Sequence, residues 1–327
     1  MALAQFQESM PATTKYHALV RSEEEAEKLR FDLAGVKVVE GKPVLANSSR
    51  LDHISIIILA PGSNVSTINE TLRRAFTGVT YAMLCDAGHS EIVPRSDGKG
   101  VEVRMPLEAD TESPFQLLDV ISGLVKFVQQ EEATYTSGSR LKHVLMRGTM
   151  GVACIERCVT QENAYIGHDG NEESLVARCD LNTEAALEIM GGRVPLYGKL
   201  ICERALVASG LPHTILRLGA LTDDAGMVPL RFGGGGDDTL LLEHVASDST
   251  LEHRGEPPKL SRTDAVRVSI ELLRHHPAPS GEIIDCAWAV NWGVSSAGTE
   301  DSKLNAARQH RTIVDEAREA SKRAHVH

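Results

Sequence analysis

The sequence predicts an α/β protein built around a doubly wound, mainly parallel β-sheet. Strand-like and helix-like segments alternate along most of the chain, which is typical of consecutive β-α-β units. The run from Ile54 to Ala60 is apolar except at Ser55 and rich in β-branched residues, as expected for a strand covered on both faces. With 42% hydrophobic and 24% charged residues, the 327-residue chain is neither a disordered polymer nor a coiled-coil rod.

The first elements follow from short local signals. Tyr16 to Val20 predicts a strand, and the segment SEEEAEKLR after Arg21 predicts a helix. Ser22 is the expected N-cap of that helix, and the glutamates behind it suit the positive end of the helix dipole. Val36 to Val39 then predicts another strand, which ends at Gly41.

The same alternation continues towards the C-terminus. Phe115 to Gln130 has an apolar stripe at helical spacing, and another helix is predicted from Lys199 to Ser209 with Gly210 as its C′ residue. The other predicted elements are strands at Leu141 to Met146, His213 to Leu218 and Glu282 to Trp288, and helices at Asn182 to Met190 and Ala265 to Arg274.

Two segments depart from this regular pattern. Residues 63–113 are less regular: Val79 to Cys85 and Val101 to Met105 have strand character, and a turn-rich stretch lies between them. We therefore expect an inserted hairpin after the strand at Ile54 to Ala60. One domain is predicted over residues 1–294, followed by a polar tail at 295–327 whose charges have helical spacing.

Composition excludes several classes of function. The net charge of -11 leaves no basic footprint for nucleic acid, and 4% aromatic residues do not favour base-stacking surfaces. No apolar run reaches the roughly 20 residues that cross a bilayer, and the first residues have no signal-peptide pattern. The six spread-out cysteines predict reduced thiols, so we expect a soluble protein of a reducing compartment. Cys154 and Cys158 are spaced i, i+4, but no organised second ligand pair accompanies them, so no metal site is predicted.

Four segments, in a fixed order, carry a family resemblance. They are Ala18 to Leu29, Leu141 to Val152, Lys199 to Leu221, and Lys259 to Leu273. The third has Lys, then Glu four residues on, then Ser-Gly-Leu and a strand with Thr-Ile-Leu-Arg. Together they resemble the atypical short-chain dehydrogenases/reductases, the NmrA-like NAD(P)-binding Rossmann proteins, over about residues 3 to 288. The resemblance implies a Rossmann-like domain that binds a nicotinamide dinucleotide.

The sequence departs from that family at its beginning. Such folds start with a strand and a glycine-rich turn that holds the pyrophosphate, and neither precedes Tyr16. The resemblance therefore implies an N-terminally incomplete fold, with the missing strand and loop upstream of Met1. In that case Tyr16 to Val20 lies directly beside Ile54 to Ala60, or a gap separates them. The glycines at 233–236 follow no strand-to-helix turn and are predicted to be a mobile loop. Gly41-Lys42 stands where the family's third strand ends in Gly-Asp.

The resemblance also implies catalytic residues. The family's Tyr-x-x-x-Lys pattern, aligned on Lys199, places Pro195 at the tyrosine position and Tyr197 two residues from it. Lys199 would bind the nicotinamide ribose, Tyr197 would be a displaced acid, and Thr149 would hydrogen-bond a substrate carbonyl. The alternatives are a surface lysine paired with Glu203, a loop tyrosine, and a threonine that satisfies local backbone groups.

The implied cofactor contacts point to NADP. Arg21 closes the second family strand, where Asp or Glu serves NAD and an arginine accommodates the 2′-phosphate of NADP. Ser22 follows it, and Pro61 and Gly62 follow the fourth strand, where the family passes its backbone along the cofactor. The alternative for Arg21 is a surface arginine facing the acids of the next helix.

Three functions remain open from the sequence. The first is an NADP-dependent oxidoreductase of the atypical group, acting on a small carbonyl substrate with a degenerate catalytic motif. The second is a non-catalytic dinucleotide sensor, and the third is a scaffold or assembly factor that keeps the fold and binds a protein partner. Cofactor binding distinguishes the third from the others, and turnover distinguishes the first from the second.

Overall fold

The computed structural model of the chain describes most of the predicted elements. The described residues are 14–39, 42–60, 63–85, 91–94, 101–104, 117–134, 140–160, 181–190, 193–234, 236–247, 257–275 and 281–289. The predicted tail at 295–327 lies outside them. The chain divides into two compact units, the first formed by residues 1–82 and 106–142 and the second by residues 83–105 and 143–327.

The first unit contains a parallel strand pair and three long helices. Its elements are β1 (Tyr16–Val20), α1 (Glu23–Ala34), β2 (Val36–Val39), β3 (Lys42–Leu45), β4 (Ile54–Ile58), α2 (Val65–Phe76) and α3 (Leu117–Thr134). β1 and β4 pair directly, in a register that runs from Tyr16 opposite Ile54 to Val20 opposite Ile58. The prediction that these two strands lie side by side is confirmed.

Helix α1 has the predicted start. The side chain of Ser22 accepts a hydrogen bond from the backbone N–H of Glu25 at 3.1 Å, which satisfies one of the four free donors of the first turn. The helix ends at Gly35, whose φ of 73° suits a residue without a Cβ. Its buried residues are Ala26, Leu33 and Ala34, and burying them holds the helix in place.

Two elements of the first unit differ from the prediction. β2 pairs with β3 in an antiparallel hairpin in which Lys42, the first residue of β3, lies opposite Val39, so β2 is not a third parallel strand. The segment expected to begin an irregular insert contains α2, capped by Asn64, whose side chain accepts from the N–H of Thr67 at 2.9 Å. Leu72, buried at helical spacing from Ala75 and Phe76, packs this helix inwards.

The second unit holds the larger sheet. Its elements are β6 (Glu91–Pro94), β7 (Val101–Arg104), β8 (His143–Thr149), α4 (Val152–Thr160), α5 (Leu181–Ile189), α6 (Arg193–Ala208), β9 (His213–Leu218), β10 (Ala220–Thr222), β11 (Leu230–Gly234), α7 (Thr239–Ser247), β12 (Lys259–Ser261), α8 (Arg262–His275) and β13 (Glu282–Trp288). The boundary between the units falls within β5 (Tyr81–Leu84).

The strand order of the five-stranded sheet is β11-β13-β9-β8-β5. β8, β9 and β13 are parallel, and β11 is antiparallel to β13. β7 lies in the predicted strand segment Val101 to Met105, but its hairpin partner is β6, whereas β5 from the other predicted segment joins the five-stranded sheet. β10 and β12 make a separate short parallel pair. The prediction of an α/β fold with a mainly parallel, doubly wound sheet is confirmed.

The first two glycines of the run at 233–236 lie in a strand and not in the predicted loop. Gly233 and Gly234 end β11 and pair with Asp285 and Ile284 of β13. A Cβ on Gly233 would lie 3.0 Å from Cγ of Leu240, and one on Gly236 would lie 2.7 Å from Cγ2 of Ile283. Gly233 and Gly236 therefore allow neighbouring side chains to pack closely against the backbone at these positions. Local sequence patterns do not predict such long-range packing.

Helix α6 begins six residues before the predicted start, at Arg193 rather than Lys199. Pro195 is tolerated because N–H groups in the first turn have no intrahelical acceptor. The predicted end is confirmed, since Gly210 follows the helix with a φ of 70°.

The cysteines are not all thiols. Cys85, Cys154, Cys202 and Cys286 are free, whereas Cys158, buried in α4, is disulfide-bonded. The expectation of uniformly reduced cysteines is therefore wrong at Cys158. None of the helices in the described part of the chain has the length and apolarity needed to cross a membrane.

Candidate functional site

The carboxyl ends of β8 and β9 form a candidate ligand site. Open α/β sheets bind ligands in the crevice outside the carboxyl ends of their parallel strands. β8 ends at Thr149, which lies opposite Leu218, the last residue of β9. Thr149 Oγ1 donates to the carbonyl oxygen of Leu218 at 3.4 Å, a long hydrogen bond to the backbone of the neighbouring strand. The hydroxyl is half-buried and keeps its acceptor lone pairs.

Helix α6 brings Lys199 to the same end of the second unit. The helix ends at Ala208 and β9 begins at His213, so the last turn of α6 lies near the amino end of β9. Its first half therefore lies towards the carboxyl ends of the strands. Lys199 shares a helix face with Glu203, which sits against Gly148 of β8, and Lys199 is one turn closer to the strand ends. Thus Lys199 and Thr149 are near the same sheet edge.

The helix does not place a tyrosine beside Lys199. Because α6 is already helical at Arg193, Tyr197 and Lys199 are separated by about 200° around the helix axis. The position four residues before Lys199 is Pro195, which has no acidic proton. The segment from Arg193 to Lys199 is regular helix, which fixes this angular separation.

A row of four residues crosses the sheet just below this edge. Gly148 of β8 lies opposite Arg217 of β9, Arg217 opposite Asp285 of β13, and Asp285 opposite Gly233 of β11. The two glycines leave space above the sheet at either end of the row. A Cβ on Gly148 would lie 2.6 Å from Oε1 of Glu203, so this carboxylate fits only over a glycine.

Arg217 is the centre of a buried charge cluster, which we define as Arg217, Glu203, Asp238 and Asp285. Its Nε and Nη2 donate to Glu203 Oε2 at 3.1 and 2.7 Å, and its Nη1 donates to the carbonyl oxygen of Gly236 at 2.6 Å. The side chains of Arg217 and Glu203 are only 2% and 3% exposed. The alternative in which Glu203 is a surface partner of Lys199 is therefore wrong: Glu203 is buried and ion-paired with Arg217.

Three carboxylates face one guanidinium in this cluster. Burial raises the pKa of Glu203, and the charge of Arg217 opposes that shift. Burial also raises the pKa of Asp285 well above its ordinary value, and the neighbouring charge of Asp238 adds to the effect. Burial alone would lower the pKa of Arg217, but the charge and hydrogen bonds of Glu203 raise it above its usual range. The guanidinium therefore stays charged. Any proton that reduces the net negative charge of the cluster must be held by one of its carboxyl groups.

Cys154 lies beside the same cluster. Its backbone N–H donates to Asp238 Oδ2 at 2.9 Å, so Asp238 accepts from the first turn of α4. Burial, and then the charge of Asp238, raises the pKa of the Cys154 thiol to about 12. A thiol that stays protonated is a poor nucleophile, so this cysteine is structural.

In the first unit, Arg21 follows β1 as expected but is engaged by its own helix. Its Nε and Nη2 donate to Glu25 Oε1 at 2.9 and 2.5 Å, and its backbone N–H donates to Glu25 Oε2 at 2.9 Å. The side chains are 27% and 37% exposed. The structure thus contains the arrangement weighed as the alternative, an arginine facing the helix acids, and leaves part of the guanidinium at the surface.

The other predicted cofactor contacts are only partly described. Ser22 caps α1, and Pro61 and Gly62 lie outside the described residues. Ser63, the next described residue, donates through Oγ to the carbonyl oxygen of Ala60 at 2.7 Å.

A nicotinamide dinucleotide fits some of these residues and not others. Arg21 offers a partly exposed cation that suits a 2′-phosphate. The start of α1 does not suit a pyrophosphate, because Glu23, Glu24 and Glu25 fill its first turn. No glycine-rich strand-to-helix turn occurs among the residues the structure describes, and no group of three metal-binding side chains occurs among them either.

No protein-family model and no curated protein matches this chain. Among solved structures, it is similar to a wide-type short-chain dehydrogenase/reductase from Veillonella parvula DSM 2008 in complex with NADP, at 13% identity and a TM-score of 0.37, covering 83% of this chain and 94% of that one. It is also similar to a Rossmann-fold NAD(P)-binding family protein from Shigella flexneri, at 13% identity and a TM-score of 0.39, covering 88% and 100%. A third similar structure is ChuY, an anaerobillin reductase from Escherichia coli O157:H7, at 12% identity and a TM-score of 0.43, covering 89% and 93%. The likenesses are to Rossmann-fold proteins, the kind of protein that the sequence resembles.

Proposed function

We propose that this chain binds NADP(H) and is an oxidoreductase of the atypical short-chain dehydrogenase/reductase kind with a degenerate catalytic set. The observation that supports the proposal is that the parallel strands β8 and β9 end at Thr149 and Leu218, and that the helix carrying Lys199 packs on these two strands. Both Lys199 and Thr149 match motifs of the family. Ligands of open α/β sheets bind at the carboxyl ends of such strands.

The residues have distinct roles in this proposal. The ammonium of Lys199 donates to ribose hydroxyls of the nicotinamide nucleotide, and the hydroxyl of Thr149 hydrogen-bonds the substrate carbonyl. In the first unit, Arg21 would meet a 2′-phosphate, for which it exchanges part of its pairing with Glu25. The family resemblance also assigns Ser22, Pro61 and Gly62 to cofactor binding. When bound, the dinucleotide supplies the hydride. Thr149 is a much poorer proton donor than a tuned tyrosine, so we expect slow reduction of carbonyls.

A non-catalytic dinucleotide sensor is the second candidate. It is favoured by one specific observation: α6 carries Pro195 at the tyrosine position and turns Tyr197 about 200° away from Lys199. Binding without efficient turnover is the behaviour expected of such a helix.

Cofactor preference tests the binding part of the proposal. We expect the purified protein to bind NADPH more tightly than NADH in calorimetric titrations, by roughly tenfold or more, since a charge-assisted contact contributes about 1.5–3 kcal/mol. Arg21→Ala should remove the preference. Arg30→Ala is the matched control, because Arg30 lies on α1 and forms a surface pair with Glu23. Equal affinities that Arg21→Ala leaves unchanged would rule out the assignment of Arg21, and no binding of either nucleotide would favour the scaffold.

Turnover tests the catalytic part. NADPH oxidation is measured with a panel of quinones, aldehydes and ketones, and we expect measurable binding with slow turnover. Turnover that Lys199→Met lowers, and that Tyr197→Phe leaves unchanged, supports the degenerate set. Fast turnover that Tyr197→Phe abolishes would contradict it and assign the acid to Tyr197. Binding with no turnover on any carbonyl would favour the sensor.

A further inference from the structure

The proposed function makes no use of Asp285, the most unusual acid in the described part of the chain. Asp285 lies in the middle of β13 and is 0% exposed. Neither of its carboxyl oxygens has a hydrogen-bond partner, and Oδ1 of the nearby Asp238 has none either. Buried carboxylates in proteins are normally paired or hydrogen-bonded, so an orphaned one requires an explanation.

The surroundings of Asp285 are acidic. Charged groups around it come from three other elements: Arg217 from β9, Glu203 from α6, and Asp237 and Asp238 from the turn before α7. β11 contributes Gly233, which is uncharged, and α7 contributes Leu240 next to that glycine. The acid of α7, Glu243, is about half-exposed and pairs with Arg231. β12, which also contacts β13, carries the half-buried Lys259. On β13 itself, Glu282 is three residues away and faces the other side of the sheet.

Arg217 cannot neutralise this excess. Each of its three nitrogens already donates, two to Glu203 and one to the carbonyl oxygen of Gly236, and Asp238 Oδ1 lies 4.0 Å from Nη1. Nη1 and Nη2 each have a second N–H, but neither oxygen of Asp285 has a hydrogen-bond partner, so the nearest cation offers Asp285 attraction without a hydrogen bond. A proton is the remaining way to balance the charge, since no group of three metal-binding side chains is present among the described residues.

We propose that Asp285 is a neutral carboxylic acid in the folded protein, and that its proton keeps the turn formed by residues 236–238 closed. The turn is anchored at two points, by Arg217 on the carbonyl oxygen of Gly236 and by Asp238 on the N–H of Cys154. If Asp285 were ionised, its negative charge would repel Asp238. It would also weaken the electrostatic attraction between Asp238 and Arg217. Ionisation of Asp285 therefore loosens the turn and the start of α7 behind it.

The pH dependence has a definite sign. A carboxyl whose proton is held more tightly in the folded state contributes stability that is fully present below the unfolded pKa of about 3.9 and is lost as pH rises towards the folded pKa. Between those two pKa values, unfolding releases one proton, so the unfolding constant rises by up to about tenfold per pH unit. Ordinary paired carboxylates act in the opposite direction.

Asp285→Asn tests the proposal, because the amide has the shape of the neutral acid and cannot ionise. Urea unfolding of the whole chain is followed by tryptophan fluorescence from about pH 5 to pH 9, together with hydrogen exchange of the segment that contains residues 233–245. We expect the slope of the logarithm of the unfolding constant against pH to fall by about one proton in the variant. The proposal also predicts that the unaltered protein shows increased hydrogen exchange in that segment at high pH. This increase should be absent in Asp285→Asn. Glu243→Gln, which removes a surface carboxylate from α7, is the matched control and should leave the slope unchanged.

Two results would overturn the proposal. One is a variant that is less stable than the parent by the same factor at every pH, which would mean that Asp285 acts as an ion. The other comes from the unaltered protein: the ¹³C shift of the Asp285 carboxyl carbon reports its protonation directly. An ionised shift near neutral pH contradicts the proposal, and a protonated shift supports it even if Asp285→Asn does not fold.

Discussion

Arg21 and Arg217 make the same kind of ion pair in two different environments. Both arginines donate through Nε and Nη2 to a helix glutamate, Arg21 to Glu25 and Arg217 to Glu203. The surface pair is 27% and 37% exposed, whereas the buried pair is 2% and 3% exposed. Burial, not bond geometry, therefore decides what each arginine can do.

The difference in burial gives the two ion pairs different contributions to stability. An exposed ion pair contributes about 0–1 kcal/mol, so Arg21 can turn towards another anion at little cost. Removing one partner of a buried pair costs about 3–5 kcal/mol, because the remaining charge stays in the interior. Arg217 is therefore committed to the fold, whereas the ion pair of Arg21 contributes little to stability.

Arg217→Met should have the largest effect on stability. It leaves Glu203 buried without a cation and the carbonyl oxygen of Gly236 without its donor, so we expect a loss of about 3–5 kcal/mol in the free energy of unfolding. Urea denaturation measures it. The double variant Arg217→Met/Glu203→Leu removes both charges and should recover most of the loss. If the double variant is no more stable than Arg217→Met, the unpaired charge of Glu203 is not the cause of the loss in stability.

Gly148→Ala should have the second-largest effect on stability. Its Cβ would lie 2.6 Å from Glu203 Oε1, so the carboxylate must move away from Arg217 or the helix must shift. We expect a loss of about 1–3 kcal/mol, the usual cost of overpacking. Gly210→Ala is a useful comparison, since its Cβ meets nothing within 4 Å and the only cost is its φ of 70°. If thermal unfolding shows equal losses, the contact with Glu203 is not the cause.

Ser22→Ala examines the surface region without touching its ion pair. The variant loses the cap on the N–H of Glu25, and we expect a loss of about 1 kcal/mol. Asn64→Ala, which removes the corresponding cap of α2, should lose a similar amount. A much larger loss at Ser22 would mean that Arg21 depends on the cap.

Arg21→Ala should have the smallest effect on stability. We expect a loss below about 1 kcal/mol that shrinks further with added salt, because an exposed pair is screened over a Debye length of about 10 Å at 0.1 M salt. Urea denaturation at two salt concentrations checks both points. A loss as large as that of Arg217→Met would erase the distinction between the two regions.

Local patterns in the sequence predicted much of the fold. The strands Tyr16–Val20, His213–Leu218 and Glu282–Trp288 have the bounds expected from their apolar runs. The cap at Ser22 and the terminator at Gly210 were also predictable, because both depend on neighbours within four residues. Lys199 and Thr149 were assigned by motif, and their roles stay predictions.

Long-range contacts account for what the sequence did not predict. The i, i+4 spacing of Lys199 and Glu203 suggested a surface pair, yet Glu203 turns inwards because Gly148 leaves it room and Arg217 supplies its counter-charge. The glycines at 233 and 236 suggested a mobile loop, yet they allow close packing against β13. Local propensity reports on residues within a few positions of one another. The partners of Glu203, Gly233 and Asp285 come from other strands, and only the folded sheet brings them together.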